Sequence, residues 1–152
     1  MALRVGVGGG LMAYIRFKGL EEYERKLSQL ERAYREQIAG KAIYEGAGIV
    51  ADAIRSGIDG LPSKSGVTKQ GLRDGFGITH LKDDKGYLNV KIGFDGYNAK
   101  GVPNVLMARL FESGKSHVQK HPFVRPAINR TKKEAEETMA EVIDEEIQKL
   151  MD

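Results

Sequence analysis

Leu20, Tyr23, Leu27, Leu30 and Tyr34 recur at intervals of three and four, which places them on one stripe of an α-helix. Glu24, Arg25, Glu31 and Arg32 fill its other face. The phase slips near Gly40, and a second stripe begins with Ile43, Ala47, Val50 and Ile54. Either one long helix bends there or two helices meet. Gly46 and Gly48 fall inside the second stripe, where each costs about 1 kcal/mol relative to alanine. A helix that carries both either packs its backbone closely against a neighbour or simply tolerates them.

Elsewhere the period changes to two. Residues 11–17 alternate and read as a strand, and residues 76–81 and 87–94 read as two more around the turn Asp83-Asp84-Lys85-Gly86. Leu88, Val90, Ile92 and Phe94 alternate with Asn89, Lys91 and Gly93, so one face of that strand is expected to be buried and the other wet. A short helix is predicted over residues 105–112, started by Pro103-Asn104 and ended by Gly114. Pro126 suits the first turn of a last helix, whose stripe is Ile128, Ala135, Met139, Val142, Ile147 and Leu150. Residues 1–10 read as a flexible, glycine-rich lead-in. Residues 56–75 have no period and carry Gly57, Gly60, Pro62, Gly66 and Gly71, which predicts a long mobile loop held only by Ile58, Leu61, Val67 and Leu72. The pattern implies one α+β domain over residues 1–152. It has a long N-terminal helix, a small antiparallel sheet, a short helix and an amphipathic C-terminal helix that covers the sheet.

Composition narrows this picture. The chain of 152 residues has 24 basic and 21 acidic side chains, a formal charge of +3, and 41% hydrophobic residues, enough to close a core. It has no cysteine, which excludes disulfides and thiol chemistry. No run approaches the roughly 20 apolar residues of a membrane span. Charge is segregated: Lys115, Lys120 and Arg125, with His117 and His121, make residues 113–126 basic, whereas acidic residues dominate from Ala127 onward. A basic loop followed by an acidic helix suggests charged contacts between subunits.

Candidate chemistry is sparse. His117 and His121 are four apart, a metal-ligand spacing on a helix, but Gly114, Ser116 and Pro122 place them in a loop. Asp83 and Asp84 are explained by the turn they precede. Ser63, Ser65 and Thr68 have no histidine nearby, and Gly6, Gly8, Gly9 and Gly10 lack the lysine and hydroxyl of a phosphate-binding loop. No catalytic residue, cofactor, metal site or small-molecule substrate is expected. Lys64, Lys69 and Arg73 allow an alternative reading as a small nucleic-acid-binding protein, although only Phe76 supplies an aromatic ring there.

One motif has a physical reading of its own. Pro122 and Pro126 stiffen the backbone on both sides of Phe123, which becomes an anchor between the sheet and the final helix. Arg125 is placed to pair with a carboxylate, and Glu112 is the nearest in sequence.

The run Leu110-Phe111-Glu112-Ser113-Gly114, followed by His121-Pro122-Phe123-Val124-Arg125-Pro126-Ala127, resembles the signature of a phage tail-component family. That family is named for the tenth gene product of an HK-type siphophage. Gly19-Leu20-Glu21-Glu22 with Leu27 resembles its first helix start, Ala42-Ile43-Tyr44-Glu45-Gly46-Ala47 its second helical stretch, and Gly71-Leu72-Arg73-Asp74 its Thr-Gly-x-Leu-Arg step. Ser113 stands where the family usually has an aromatic or aliphatic residue, and Lys69-Gln70-Gly71 replaces the usual Thr-Gly. The resemblance runs from about Leu11 to Leu150. It implies a non-enzymatic virion protein of the tail or head–tail junction, present in the host cytoplasm before assembly. Such a protein would act in tail completion or head–tail joining by self-association and by binding other tail or neck proteins. Lys64, Lys69, Leu72, Arg73, Lys115 and Lys120 are the candidate interface residues. Glu112, Gly114, Pro122, Phe123, Arg125, Pro126 and Ala127 are the candidate anchor.

Overall fold

The computed structural model of the chain describes residues 1–8, 13–62 and 66–152. Its elements run β1 (Ala2–Val7), β2 (Ala13–Ile15), α1 (Glu21–Ser28), α2 (Arg32–Asp59), α3 (Val67–Gly75), β3 (Phe76–Ile78), β4 (Lys82–Asp84), β5 (Tyr87–Phe94), α4 (Asn104–Ser113) and α5 (Val124–Met151). This is an α+β fold in which α2 lies on one face of the sheet; the C-terminal helix α5, expected to cover the sheet, packs mainly on α2 instead.

The lead-in is not a flexible tail. Leu3, Val5 and Val7 alternate with Ala2, Arg4 and Gly6, and this short period-two pattern forms a strand inside the sheet. Residues 9 and 10 lie outside the described residues. The strands are ordered β2-β1-β5-β3, with β4 also paired to β5. The sheet is mixed rather than antiparallel, because β1 runs parallel to β5 from Ala2 beside Tyr87 to Val7 beside Ile92. A parallel pair needs a long crossover, and here the chain from β2 through β4 supplies it. Part of the strand expected at residues 11–17 is β2, antiparallel to β1; residues 11 and 12 lie outside the description.

A hairpin is present at the expected bend, but the strand expected over residues 76–81 is broken: β3 ends at Ile78, and β4 takes up Lys82–Asp84, including two residues expected in the turn. Lys85 (φ 54°) and Gly86 (φ 89°) form the two-residue bend, while Asp84 already pairs with Tyr87. Asp83 accepts the Gly86 N–H at 2.9 Å, the turn role that its position implies.

The helical break falls at residues 29–31, ahead of the phase slip near Gly40, and α2 runs unbroken through Gly40. Its buried positions include Ile38, Ala39, Ala42, Ile43, Ala47, Val50 and Ala51, more than one stripe can hold. α2 lies against both the sheet and α5, so its apolar face is wide, and the apparent change of phase is that second surface.

The long loop is largely helix. α2 continues to Asp59 and α3 occupies Val67–Gly75, leaving residues 60–66 as the connection. Gly71 and Gly75 are there for close approach: a side chain on Gly71 would meet Asn98 and Asn104, and one on Gly75 would meet the Asp95 carbonyl. Ile58, Leu61 and Leu72 are all buried.

α5 lies antiparallel along α2, with Phe123 against Gly57 and Met139 against Gly46. A Cβ on Gly46 would stand 2.6 Å from the Met139 side chain, whereas one on Gly48 would meet nothing within 4 Å. The two glycines thus resolve differently, the first as a packing requirement and the second as tolerated. Gly48→Ala is expected to stabilise the fold by about 0.5–1 kcal/mol through helix propensity. Gly46→Ala is expected to cost up to about 2 kcal/mol, because overpacking outweighs the same gain. Thermal unfolding of the two variants tests the opposite signs.

Glu24 on α1 accepts the Leu3 N–H at 2.7 Å and so ties the helix to the N-terminal strand. Burial pushes its carboxyl above the ordinary 4.5, and the hydrogen bond from Leu3 only partly offsets this. The folded chain therefore holds that proton more tightly than the unfolded chain. The stability this carries is complete below the unfolded pKa and is lost as pH rises through the folded one. Glu24→Gln should raise the melting temperature at neutral pH, and its advantage should vanish near pH ~4. Melting the pair across that range is the check.

Candidate functional site

The segment that carries the motif is built around one buried carboxylate. α4 presents Glu112 in its last turn and ends at Gly114, whose φ of 71° and close approach to the Val118 carbonyl exclude a side chain. Residues 115–120 then form an exposed loop, with Lys115 and Val118 bridged to each other. His121 N–H donates to the Phe111 carbonyl at 2.6 Å, which closes the base of the loop against α4.

Beyond the loop, Glu112 receives the start of α5. Its Oε1 accepts the N–H groups of Phe123 and Val124 at 2.8 Å each, and its Oε2 accepts that of Arg125 at 3.0 Å. The first amides of a helix lack partners within it, and they form the positive end of the helix dipole. A carboxylate from another helix meets both needs here. The next residue, Pro126, has no N–H to satisfy. The side chain of Arg125 is exposed, so the pairing expected between Arg125 and Glu112 is made by the backbone amide instead.

Phe123 is the anchor that its two flanking prolines implied. Its ring is 5% exposed, meets Phe94 edge-on at 6.0 Å and presses its Cβ against Gly57. Ala127 is buried one turn further along, whereas Pro122 and Pro126 stay at the surface. Glu112, Gly114, Phe123 and Ala127, with the Arg125 amide, are thus one structural unit.

The interface candidates separate. Lys115 and Lys120 are exposed on the loop. Lys64 lies outside the described residues. Leu72 is wholly buried in the core and is not a surface residue. Lys69 donates to the Asp59 carbonyl at 2.8 Å, and Arg73 holds the Asp59 carboxylate through Nε at 3.2 Å and Nη2 at 2.6 Å. Both clamp α3 to the end of α2. His117 is exposed, His121 is half-buried, and no cluster of metal-binding side chains occurs among the described residues. None of the helices among them is long and apolar enough to cross a membrane.

Part of the acidic tail is used inside the subunit. Glu136 accepts the Gly19 N–H at 2.6 Å, Asp144 pairs with Lys26 at 3.2 Å, and Glu146 is shared by Lys41 and Lys149. The Lys41 hydrogen bond, seconded by Lys149, holds the Glu146 carboxyl below its ordinary range. Glu134, Glu137, Glu141 and Glu145 remain exposed.

Sequence reasoning missed the outer face of the sheet. Tyr14 stands beside Gly6 and Gly6 beside Lys91; in the next row Arg4 stands beside Asn89 and Asn89 beside Lys82. These residues share the face turned away from Leu3, Val5 and Val90. The Arg4 guanidinium lies 3.7 Å from the centre of the Tyr87 ring and 5.0 Å from that of Tyr14. Arg16 continues the alternation beyond Tyr14 and is exposed. The signal was the alternation in residues 2–7, masked by the glycines that follow.

No family model, no curated protein and no solved structure matches the chain.

Glu112→Ala should cost at least about 3 kcal/mol, since it strands three amides at a largely buried helix start. Glu112→Gln should cost less, because its carbonyl can keep the two Oε1 bonds. Phe123→Ala should cost about 3–5 kcal/mol through the cavity it opens. Denaturant unfolding of the three variants would measure these losses, and an unchanged midpoint in Phe123→Ala would remove its role as anchor.

Proposed function

We propose that the chain is a non-enzymatic structural protein of a bacteriophage or prophage particle, acting at the tail or head–tail junction. It works by self-association into a ring and by binding other tail or neck proteins. The motif resemblance is the origin of this reading, and one observation carries it. The most specific part of that motif, Glu112 to Ala127, is a rigid clamp that holds out the charged loop of residues 115–120. A loop fixed at both ends keeps its side chains in place for a partner without a large ordering cost on binding. The alternative of nucleic-acid binding through the central basic cluster has less support, because Lys69 and Arg73 are engaged with Asp59.

Electron microscopy of particles assembled without this protein tests the role. Filled heads separate from tails are the outcome expected of joining, and tails with an unfinished end that of completion. Normal infectious particles would refute both. Lys115→Glu with Lys120→Glu should keep the melting temperature, since exposed lysines carry little folding energy, about 0–1 kcal/mol each. The same double variant should enter particles poorly.

A further inference from the structure

The fold leaves two separate surfaces with complementary charge. On the outer face of the sheet, Arg16 and Lys82 are exposed, and Arg4 and Lys91 are half-buried around the rings of Tyr14 and Tyr87. The carboxylate of that face, Asp84, accepts a hydrogen bond from Asn89 at 2.8 Å. Above Gly77 there is nothing within 4 Å and above Gly93 only the Gly8 backbone, whereas the space over Gly6 is taken by the side chains of Lys91 and Tyr14.

On α5, Arg125, Ile128, Asn129 and Lys132 turn toward β2 and line a groove beside it. Helical spacing then turns Glu134, Glu137, Glu141 and Glu145 to the side away from the sheet. These four form an exposed band beyond Arg130 and Lys133. Glu137, Glu141 and Glu145 follow one another at intervals of four, where like charges destabilise a helix by a few tenths of a kcal/mol per pair. Opposite-charge spacing to Arg130, Lys133 and Lys149 supports the ends of the band, but Glu141 at its centre has no basic residue three or four positions away.

We propose that the cationic sheet face of one copy receives the glutamate band on α5 of the next copy. The two surfaces are different patches of one subunit, so the contact is heterologous and repeats from copy to copy, closing into a ring where the rotation allows. Tyr14 and Tyr87 supply flat area at the centre, and the charges set orientation and rate of encounter. This inference rests on the reading of the chain as a self-assembling structural protein and names the surfaces that reading needs.

A charge swap tests it by sedimentation velocity of the full chain. The first variant, Arg16→Glu with Lys91→Glu, makes the sheet face acidic; the second, Glu137→Lys with Glu141→Lys, makes the helix band basic. Wild type should associate at about 0.05 M salt and dissociate at about 0.5 M. Each variant alone should associate at least about tenfold more weakly, because like charges then meet. An equimolar mixture should recover association, since each altered face finds its complement, and recovery also shows that both variants are folded.

A mixture that stays monomeric while wild type associates overturns the inference. So does undiminished association of both variants, which places the interface elsewhere but leaves self-assembly standing. Loss of association in Lys115→Glu with Lys120→Glu, with both swap variants unaffected, assigns the contact to the loop and likewise overturns it. A monomeric wild type at low salt removes the inference together with the ring. If that monomer binds a thymidine oligonucleotide and the sheet variant does not, the face belongs to nucleic acid.

Discussion

The packing of this protein turns on where the buried carboxylate of Glu112 sits. It lies at the end of α4, yet its three hydrogen bonds go to the first amides of α5. A buried charge is costly unless it is paired or well hydrogen-bonded, and a helix start is unfavourable to bury unless its amides are met. Each defect is the remedy for the other. With the start of α5 fixed, Phe123 is held against Phe94 and Gly57, and Met139 reaches the gap left by Gly46. α2 can then be covered on two sides by the sheet and α5.

Much of the helical framework was legible from sequence because its periods are long. α4, α5, the second half of α2, and β5 with the bend before it follow from apolar spacing, from Gly114 and Pro126, and from Lys85-Gly86, whereas β4 lies in residues that read as turn. Short or doubly covered elements were not. β1 has only Leu3, Val5 and Val7 to show its alternation, and its partner β5 is far away in sequence, so no local signal marks it as a sheet strand. α3 was hidden by glycines that read as loop formers but serve close contact with Asn98, Asn104 and Asp95. The anchor was visible in Pro122, Phe123 and Pro126. Its partner was legible only in part, since Glu112 was identified but the amide of Arg125 replaced the side chain.

Charge shows the same division between what is spent inside the fold and what is left over. Lys69 and Arg73 looked free in sequence but serve Asp59, and Glu136, Asp144 and Glu146 tie α5 to its neighbours. Residual charge then separates into a basic sheet face and an acidic helix band. The +3 total says nothing of that polarity, which arises only when β1 and β2 bring Arg4 and Arg16 to the face of Lys82 and Lys91.

The parallel pairing of β1 with β5 has a consequence during synthesis. Ala2 finds its partner in Tyr87, 85 positions later, so one long edge of β1 has nothing to pair with until most of the chain has been made. At about 5–20 residues per second the ribosome takes roughly 4–17 s to make that stretch. For that interval Leu3, Val5 and Val7 belong to a nascent strand whose only sheet partner is β2, with its apolar side uncovered until the helices arrive. The sheet is thus completed late, after a long-range pairing of high sequence separation.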